Sequence, residues 1–232
     1  MQLTRRGVLL GAGAAGGLLL AWSLMPRRFD APLAAGEGEY AFDAWLKIGK
    51  DGVISVAVPQ LEMGQGISTL LPQIVAQELG ADWRQIAVEP APISGAYANV
   101  PLARHWASLW MPAAPVLADG TGEDNFIARR WAESSAFTAT AEGLSLAAYE
   151  TPARVAAASA RAMLAMAAAD RWGVGWEECT AQNGFILHGK RKARFGDLAA
   201  LAAEQTPPDP PVLLPASPAE RPGEFPAGAP VL

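Results

Sequence analysis

The stretch LEMGQGISTLLPQ, from Leu61 to Gln73, sets a glycine on each side of a glutamine and then continues into a run with helical spacing. Apolar residues recur three and four positions apart at Ile67, Leu70, Leu71, Ile74, Val75 and Leu79. This period predicts an amphipathic helix, with Ser68 or Thr69 as its N-cap and Pro72 in its first turn. The glycine loop therefore precedes a helix.

A loop at the start of a helix has two physical uses. The first-turn N–H groups lack intrahelical partners and the helix dipole favours an anion, so the loop can hold a ligand. Gly64 and Gly66 permit tight backbone angles and a close approach, and Gln65 offers a neutral donor and acceptor suited to a heterocycle. The alternative is a tight turn that serves only the chain path, and spacing alone favours neither. The loop contains no lysine, which excludes a P-loop.

The residues around this loop predict a β-β-loop-α-β unit. Before it, alternation from Phe42 to Ile48, the turn Lys50–Gly52 and the apolar run Val53–Val58 predict a β-hairpin. After it, Gly80 ends the helix, and residues 85–89 predict another strand.

A second loop, TATAEGLS (residues 138–145), precedes a long alanine-rich segment. Thr140, Gly143 and Ser145 suit either a phosphate or an ordinary helix cap, and their pattern alone favours the cap. The following helix is predicted to start with Thr151 as its cap and Pro152 in first position, and to end at Gly173. Its predicted buried face consists of Val155, Ala158, Met163, Met166 and Ala167.

Three further segments complete the predicted organisation. Residues 90–137, with Trp106, Trp110 and Trp131, predict an ordered but irregular excursion. Residues 178–195 predict a second hairpin with a type I′ turn at 183–184, and residues 197–205 a short helix. From residue 207 onward the chain is rich in proline without periodicity, as in a linker or wrapping arm. The predicted fold is α+β, with a two-layer mixed sheet covered by the two main helices.

The N-terminal residues predict a targeting segment rather than a ligand site. Arg5 and Arg6 precede an uncharged apolar stretch that ends at Arg27, a pattern typical of a twin-arginine export signal. GAGAAG, at residues 11–16, matches the dinucleotide-binding spacing, but no strand precedes it, so that interpretation fails. A membrane anchor is the alternative, because the stretch approaches the length that spans a bilayer. We expect residues 1–30 to be signal or anchor, 38–205 the binding segment and 206–232 the arm.

Composition excludes several other classes. A net charge of −5 and the absence of a basic stripe argue against nucleic-acid binding. The single cysteine, Cys179, excludes an internal disulfide and a cysteine-rich metal site, and a small buried role is favoured over a nucleophile. His105 and His188 lack partners at metal spacing, and Glu62, beside the glycine loop, is a weak candidate for a general base. We predict no catalytic residue and no metal ligand in this chain.

The run from Met63 to Trp83 resembles the molybdopterin-binding subunits of the xanthine dehydrogenase and aldehyde oxidase family, especially the exported isoquinoline 1-oxidoreductase β type. The resemblance continues through residues 140–174 and 176–189 and reaches the proline arm. It implies that Gly64, Gln65 and Gly66 contact the pterin of a molybdenum cofactor, in its cytosine dinucleotide form. It also implies that the second loop binds the dinucleotide through Thr140, Gly143, Leu144 (by its N–H) and Ser145.

In that family the reaction hydroxylates an N-heterocycle or an aldehyde with oxygen from water. Electrons leave through a separate small subunit with 2Fe–2S clusters. Members of that family continue for several hundred residues more, and their catalytic glutamate lies in that part. We therefore expect the N-terminal part of such a subunit, a fragment or split-gene product, inactive without the remainder of the subunit. A non-catalytic, membrane-anchored extracytoplasmic module is the alternative. The residues that select the substrate also lie beyond this chain.

Overall fold

The computed structural model describes residue 29, residues 32–118 and residues 125–215. Its strands are β1 (Glu39–Phe42), β2 (Leu46–Gly49), β3 (Ile54–Val58), β4 (Ile86–Pro90), β5 (Thr180–Gln182), β6 (Phe185–His188) and β7 (Arg191–Arg194). Its helices are α1 (Ile67–Leu79), α2 (Val100–His105), α3 (Ala107–Trp110), α4 (Phe126–Ser134), α5 (Ser145–Trp172) and α6 (Phe195–Ala202).

The main sheet has four strands in the order β1-β2-β3-β4. The first two pairings are antiparallel, and β4 then joins β3 in parallel after the chain crosses over through α1. A parallel pair requires such a crossover, because its strands cannot be joined by a tight turn. The α+β class, with a mixed sheet and covering helices, is confirmed.

The prediction of one continuous strand from Phe42 to Ile48 is wrong. The chain turns between β1 and β2, where Asp43 adopts a left-handed conformation with φ 60°. The Asp43 carboxylate accepts the N–H of Ala44 at 2.8 Å, a local bond that stabilises this turn. Ala44 and Trp45 are nevertheless buried, which explains why their apolar pattern continued through the turn.

Helix α1 begins where the apolar spacing predicted, but its cap is different. Gly66, with φ 77°, is the N-cap, so the prediction of Ser68 or Thr69 is wrong. Pro72 is the sixth helical residue rather than a first-turn residue, and its ring is buried. The helix ends at Gly80, with φ 75°, as predicted.

Helix α5 begins at Ser145, so the predicted start at Thr151 and Pro152 is wrong. The predicted end at Gly173, with φ 64°, is confirmed. Of the predicted buried face, Ala158 and Ala167 are buried, Met163 and Met166 are half-buried and Val155 is exposed. Most of its buried residues are alanines, at positions 153, 156, 157, 158, 160, 162, 165, 167, 168 and 169. Their small side chains permit the close contact between α5 and α1.

The second sheet contains β5, β6 and β7, all antiparallel. Asn183 and Gly184 have φ 52° and 78°, so the predicted type I′ turn is confirmed. The prediction of a single hairpin is incomplete, since the segment turns again at Gly189 and forms three strands. Helix α6 starts at Phe195, two residues before the predicted Asp197.

The segment from residue 91 to 137 is more helical than predicted. Asn99 caps α2 by accepting the Leu102 N–H at 3.1 Å, and Asn125 caps α4. The indole rings of Trp110 and Trp131 stack with their centroids 4.5 Å apart. Side-chain caps and aromatic packing therefore stabilise the described residues of this segment, 91–118 and 125–137.

The described part of the proline arm, residues 206–215, lies along α1 and α5 without forming a helix or strand. Its backbone bonds to the side chains of Glu78, Arg154 and Arg161. In residues 32–118 and 125–215, no helix is both long and apolar enough to cross a membrane. The predicted signal or anchor lies outside the described residues.

Candidate functional site

The two loops singled out from the sequence meet in the fold. The first loop, residues 59–66, connects β3 to α1. The second loop leads into α5 and comprises residues 138–144, because Ser145 is already the first residue of that helix. The Leu61 N–H donates to Oγ1 of Thr140 at 3.3 Å, which joins one loop directly to the other. Residues about eighty positions apart thus share one surface.

Gln60 makes the closest connection between the loops, and sequence reasoning missed it. Its amide nitrogen donates to the carbonyl oxygens of Thr138 and Ala139, both at 2.9 Å. Its amide oxygen accepts the hydroxyl of Ser145 at 2.6 Å. No local pattern marked this residue, since all three partners lie far away along the chain.

The carboxylate of Glu62 occupies the N-terminus of α1. One oxygen accepts the N–H groups of Gly64 and Gly66 at 2.8 and 2.9 Å. The other accepts the N–H of Ser68 at 3.1 Å and its hydroxyl at 2.7 Å. The Ser68 hydroxyl, followed by these backbone donors, lowers the pKa of Glu62 to about 2. The carboxylate is therefore ionised and committed to its own loop, which is the arrangement of a helix cap rather than a poised base.

The amide of Gln65 also turns back onto the first loop. Its oxygen accepts the Met63 N–H at 2.6 Å, and its nitrogen donates to the Leu61 carbonyl at 2.8 Å. These two bonds fix the shape of the loop. A ligand that uses the Gln65 side chain must share or replace them.

The glycines leave an open face on both loops. Gly64, with φ 95°, and Gly143, with φ 65°, adopt backbone angles that favour glycine. A Cβ atom added at either position would have no atom within 4 Å apart from those of the glycine and its two chain neighbours. A ligand can therefore approach the backbone closely at both positions.

The predicted residues of the second loop have different surroundings. Ser145 is buried, and its hydroxyl is held by Gln60. Leu144 is the N-cap of α5, and no side chain caps that helix. The first-turn N–H groups of α5 have no intrahelical partner, as at any helix start. The second loop therefore offers backbone donors together with the Thr140 hydroxyl.

Glu142 ties the second loop to the excursion. Its carboxylate contacts the His105 imidazole and accepts the Trp106 indole N–H at 2.6 Å. These bonds, the His105 contact first, lower the pKa of Glu142. Glu142 also has φ 56°, an uncommon angle for a residue with a side chain. His105 thus connects the segment that contains α2 to the second loop.

Two other features lie apart from the loops. Burial, and then the neighbouring Glu178, raise the pKa of the Cys179 thiol, so it remains protonated and a poor nucleophile.

A groove of about 410 Å³ lies between α5, β5 and the arm, next to Ala158 and Ala162. Ala158 is about 20 Å along the helix axis from Ser145. Within residues 32–118 and 125–215, no three His, Cys, Asp or Glu side chains form a metal-binding group.

Comparisons with known proteins bear on the same region. Residues 16–98 match the family model of the molybdopterin cofactor-binding domain, a range that includes the first loop but not the second. The chain is 29% identical over 210 residues to the isoquinoline 1-oxidoreductase subunit beta of Brevundimonas diminuta, across 86% of this chain and 22% of that protein. It is 33% identical over 116 residues to the membrane-bound aldehyde dehydrogenase [pyrroloquinoline-quinone] of Gluconacetobacter polyoxogenes, across 47% of this chain and 14% of that protein.

These findings confirm the resemblance predicted from the run Met63–Trp83. Residues 16–98 are thus similar to molybdopterin cofactor-binding domains, and most of the chain is similar to part of an oxidoreductase subunit. It spans about a fifth or less of the length of these two relatives.

The geometry of the loops fits such a cofactor. The open faces at Gly64 and Gly143 permit close backbone contact, and the N–H groups at the start of α1 already bind a carboxylate, that of Glu62. The same donors suit the oxygens of a pterin or a phosphate.

Proposed function

We propose that this chain holds a molybdenum–molybdopterin cofactor, in its cytosine dinucleotide form, between the two loops. The pterin end would contact Gly64, Gln65 and Gly66, and the dinucleotide end Thr140, Gly143, Leu144 and Ser145. The observation that supports this proposal is the junction of the loops, in which the Leu61 N–H bonds to the Thr140 hydroxyl. The family match to residues 16–98 supports a molybdopterin cofactor as the ligand.

The chain's own residues would act mainly through the backbone. The Ser145 hydroxyl is engaged by Gln60, so Ser145 would contribute its N–H. Glu62 is exposed, so its carboxylate can turn into solvent and release the donors of the first loop to the cofactor. Bound there, the cofactor would supply the redox centre for hydroxylation.

The complete enzyme would need more than this chain. We propose that it is part of a molybdenum hydroxylase subunit that acts on N-heterocycles or aldehydes, two classes consistent with the names of the relatives. The substrate pocket, the catalytic glutamate and a 2Fe–2S subunit would come from the remainder of the subunit and a partner. The arginine pair at Arg5 and Arg6 supports export to the periplasm. Retention of the tagged full chain in the cytoplasmic fraction would contradict export.

Co-expression of the full chain with neighbouring reading frames that encode the rest of the subunit and a two-cluster iron–sulfur protein tests cofactor binding. We expect the purified complex to contain molybdenum and cytidine nucleotide in equal amounts. Gln65→Ala removes the two bonds that shape the first loop, and should lower the content of both at least about tenfold.

Gln77→Ala is the matched control, because Gln77 is an exposed glutamine on the far turn of α1. Its cofactor content should equal that of the wild type. A wild-type complex with neither molybdenum nor nucleotide, or a Gln65→Ala complex with unchanged content, would overturn the proposal. The first result would favour a non-catalytic binding module.

A further inference from the structure

The second loop closes around a single amide side chain. Gln60 bonds to Thr138 and Ala139 at the beginning of that loop and to Ser145 directly after its end. Its amide nitrogen also lies 3.2 Å from the Tyr149 hydroxyl, one turn further along α5. One side chain from the end of β3 thus holds both ends of a loop that lies 78 to 85 residues away.

This position requires the chemistry of glutamine. An amide can donate two hydrogen bonds and accept at its oxygen, which matches two carbonyl oxygens and one hydroxyl. A carboxylate in the same place has no donor and would face the Thr138 and Ala139 carbonyls with negative charge. An apolar side chain would leave these buried groups without partners, which is costly away from water. Gln60 itself is 8% exposed, so water provides little substitute.

We propose that Gln60 is the positioning residue for the second loop. It sets the loop conformation in which the Thr140 hydroxyl accepts the Leu61 N–H, and hence the distance between the two halves of the cofactor site. The part that concerns the cofactor rests on the proposed function. Gln60 itself is too deeply placed to touch the ligand and acts through Thr138, Ala139 and Ser145.

The first arm of the test is amide hydrogen exchange of the full chain, which needs no cofactor. Gln60→Met keeps the length of the side chain and removes its hydrogen bonds, whereas Gln60→Glu keeps its shape and removes its donors. We expect exchange to speed up at least about tenfold in residues 139–145 for both variants. The amides of Gly64, Gly66 and Ser68, held by Glu62, should keep their wild-type rates.

Measuring exchange at lower pH distinguishes a specific hydrogen-bonding role of Gln60 from a general loss of stability. Burial and two facing carbonyls should raise the pKa of the carboxyl introduced by Gln60→Glu, and the protonated form regains one donor. The increase in amide exchange rate that Gln60→Glu causes in residues 139–145, measured against wild type at the same pH, should therefore be smaller at pH 5 than at pH 8. The effect of Gln60→Met, which cannot titrate, should stay constant.

The second arm measures nucleotide in the co-expressed complex. Both Gln60 variants should retain at least about tenfold less cytidine nucleotide than wild type. Glu78→Gln, a buried polar change at the opposite end of α1, is the control for general destabilisation and should retain nucleotide. The proposed role of Gln60 would be overturned if the second loop of Gln60→Met exchanged its amides at the wild-type rate. It would also be overturned if exchange rates rose throughout the chain, as in the Glu78→Gln control. A wild-type complex without molybdenum and nucleotide would instead overturn the proposed function.

Discussion

Glu62 supplies to helix α1 the cap that its own N-cap residue cannot. Gly66 has the left-handed backbone that the entry to the helix needs, but no side chain to accept a first-turn N–H. The carboxylate four residues earlier accepts those donors instead and places negative charge at the positive end of the helix dipole. Gly66 thus provides the backbone conformation at the start of the helix, and Glu62 provides the capping carboxylate.

This division predicts a pH-dependent stability. The pKa of Glu62 in the folded chain, about 2, is below its ordinary value of 4.5, so the ionised carboxylate stabilises the fold above about pH 4.5. That contribution is lost as the pH falls from about 4.5 towards 2, because the folded state must then take up a proton it holds weakly. Glu62→Ala should lower the urea midpoint at pH 7, and the difference from wild type should disappear near pH 2.

The control for this experiment is Glu204→Ala, an exposed carboxylate beyond the end of α6. It should follow the wild-type curve across the same pH range. A Glu62→Ala difference of equal size at pH 7 and pH 2 would show that the carboxylate charge is not the cause.

At the residue scale, the sequence shows a candidate site residue only where the signal is local. Gly64, Gln65 and Gly66 stand next to one another, so their spacing and family motif could be found in the sequence. Gln60 and Glu142 act through partners 78 and 37 residues away. The local sequence around each residue does not show which distant residues it will contact in the fold.

At the scale of elements, local chemistry misplaced the start of α5. A threonine before a proline is a typical helix entry, yet the helix already begins at Ser145. Ser145 and Tyr149 are buried and bonded to Gln60, and this packing extends the helix past its interior proline. Tertiary contacts here outweigh propensity.

The early start of α5 predicts that Pro152 weakens the helix. Pro152 is the eighth helical residue, is exposed, and has no N–H for the Ala148 carbonyl. Pro152→Ala should raise the free energy of unfolding by roughly 1–3 kcal/mol, measured by urea denaturation. Thr151→Ala should have little effect, because Thr151 is not the cap. A loss of about 1 kcal/mol in Thr151→Ala would instead indicate a real cap at that position.

At the scale of the whole molecule, a buried ion-pair cluster holds the arm against the helices. Glu78 is 2% exposed and pairs with Arg161 at 2.7 Å and Arg154 at 3.1 Å. Its carboxylate also accepts the Leu214 N–H at 2.8 Å, while Arg154 donates to the Leu214 carbonyl. The arm is therefore fixed by charge-assisted bonds to its backbone, independent of its side chains.

Removing the carboxylate should release the arm. Glu78→Ala removes the carboxylate that two largely buried guanidinium groups share and should cost roughly 3–5 kcal/mol of stability. Limited proteolysis should then cut residues 206–215 faster than in wild type, with Glu78→Gln intermediate. Unchanged cleavage in Glu78→Gln, in a chain that remains folded, would show that other contacts hold the arm.

The fold class was predictable because its main features follow from periodicity. The sequence predicts a hairpin, then a helix, then a strand after Gly80. A helix between two strands of one sheet is a crossover, which makes those strands parallel, so the sheet is mixed. The turn at Asp43, the strand β7 and the short helices α2 and α4 were missed. Each is too short for a period to show, and each is stabilised by caps or neighbours that the local sequence does not determine.

The distance along the chain between the two loops has a consequence for the order of folding. Strands β1, β2 and β3 pair with close neighbours in sequence, and such contacts form quickly because the closed loops are small. The bond from Gln60 to Ser145 closes a span of 85 residues. During synthesis, the sheet can therefore assemble while the second loop has not yet left the ribosome. The surface formed by the two loops is among the last parts to form. Under the proposed function, a nascent chain would therefore bind its cofactor only after helix α5 is in place.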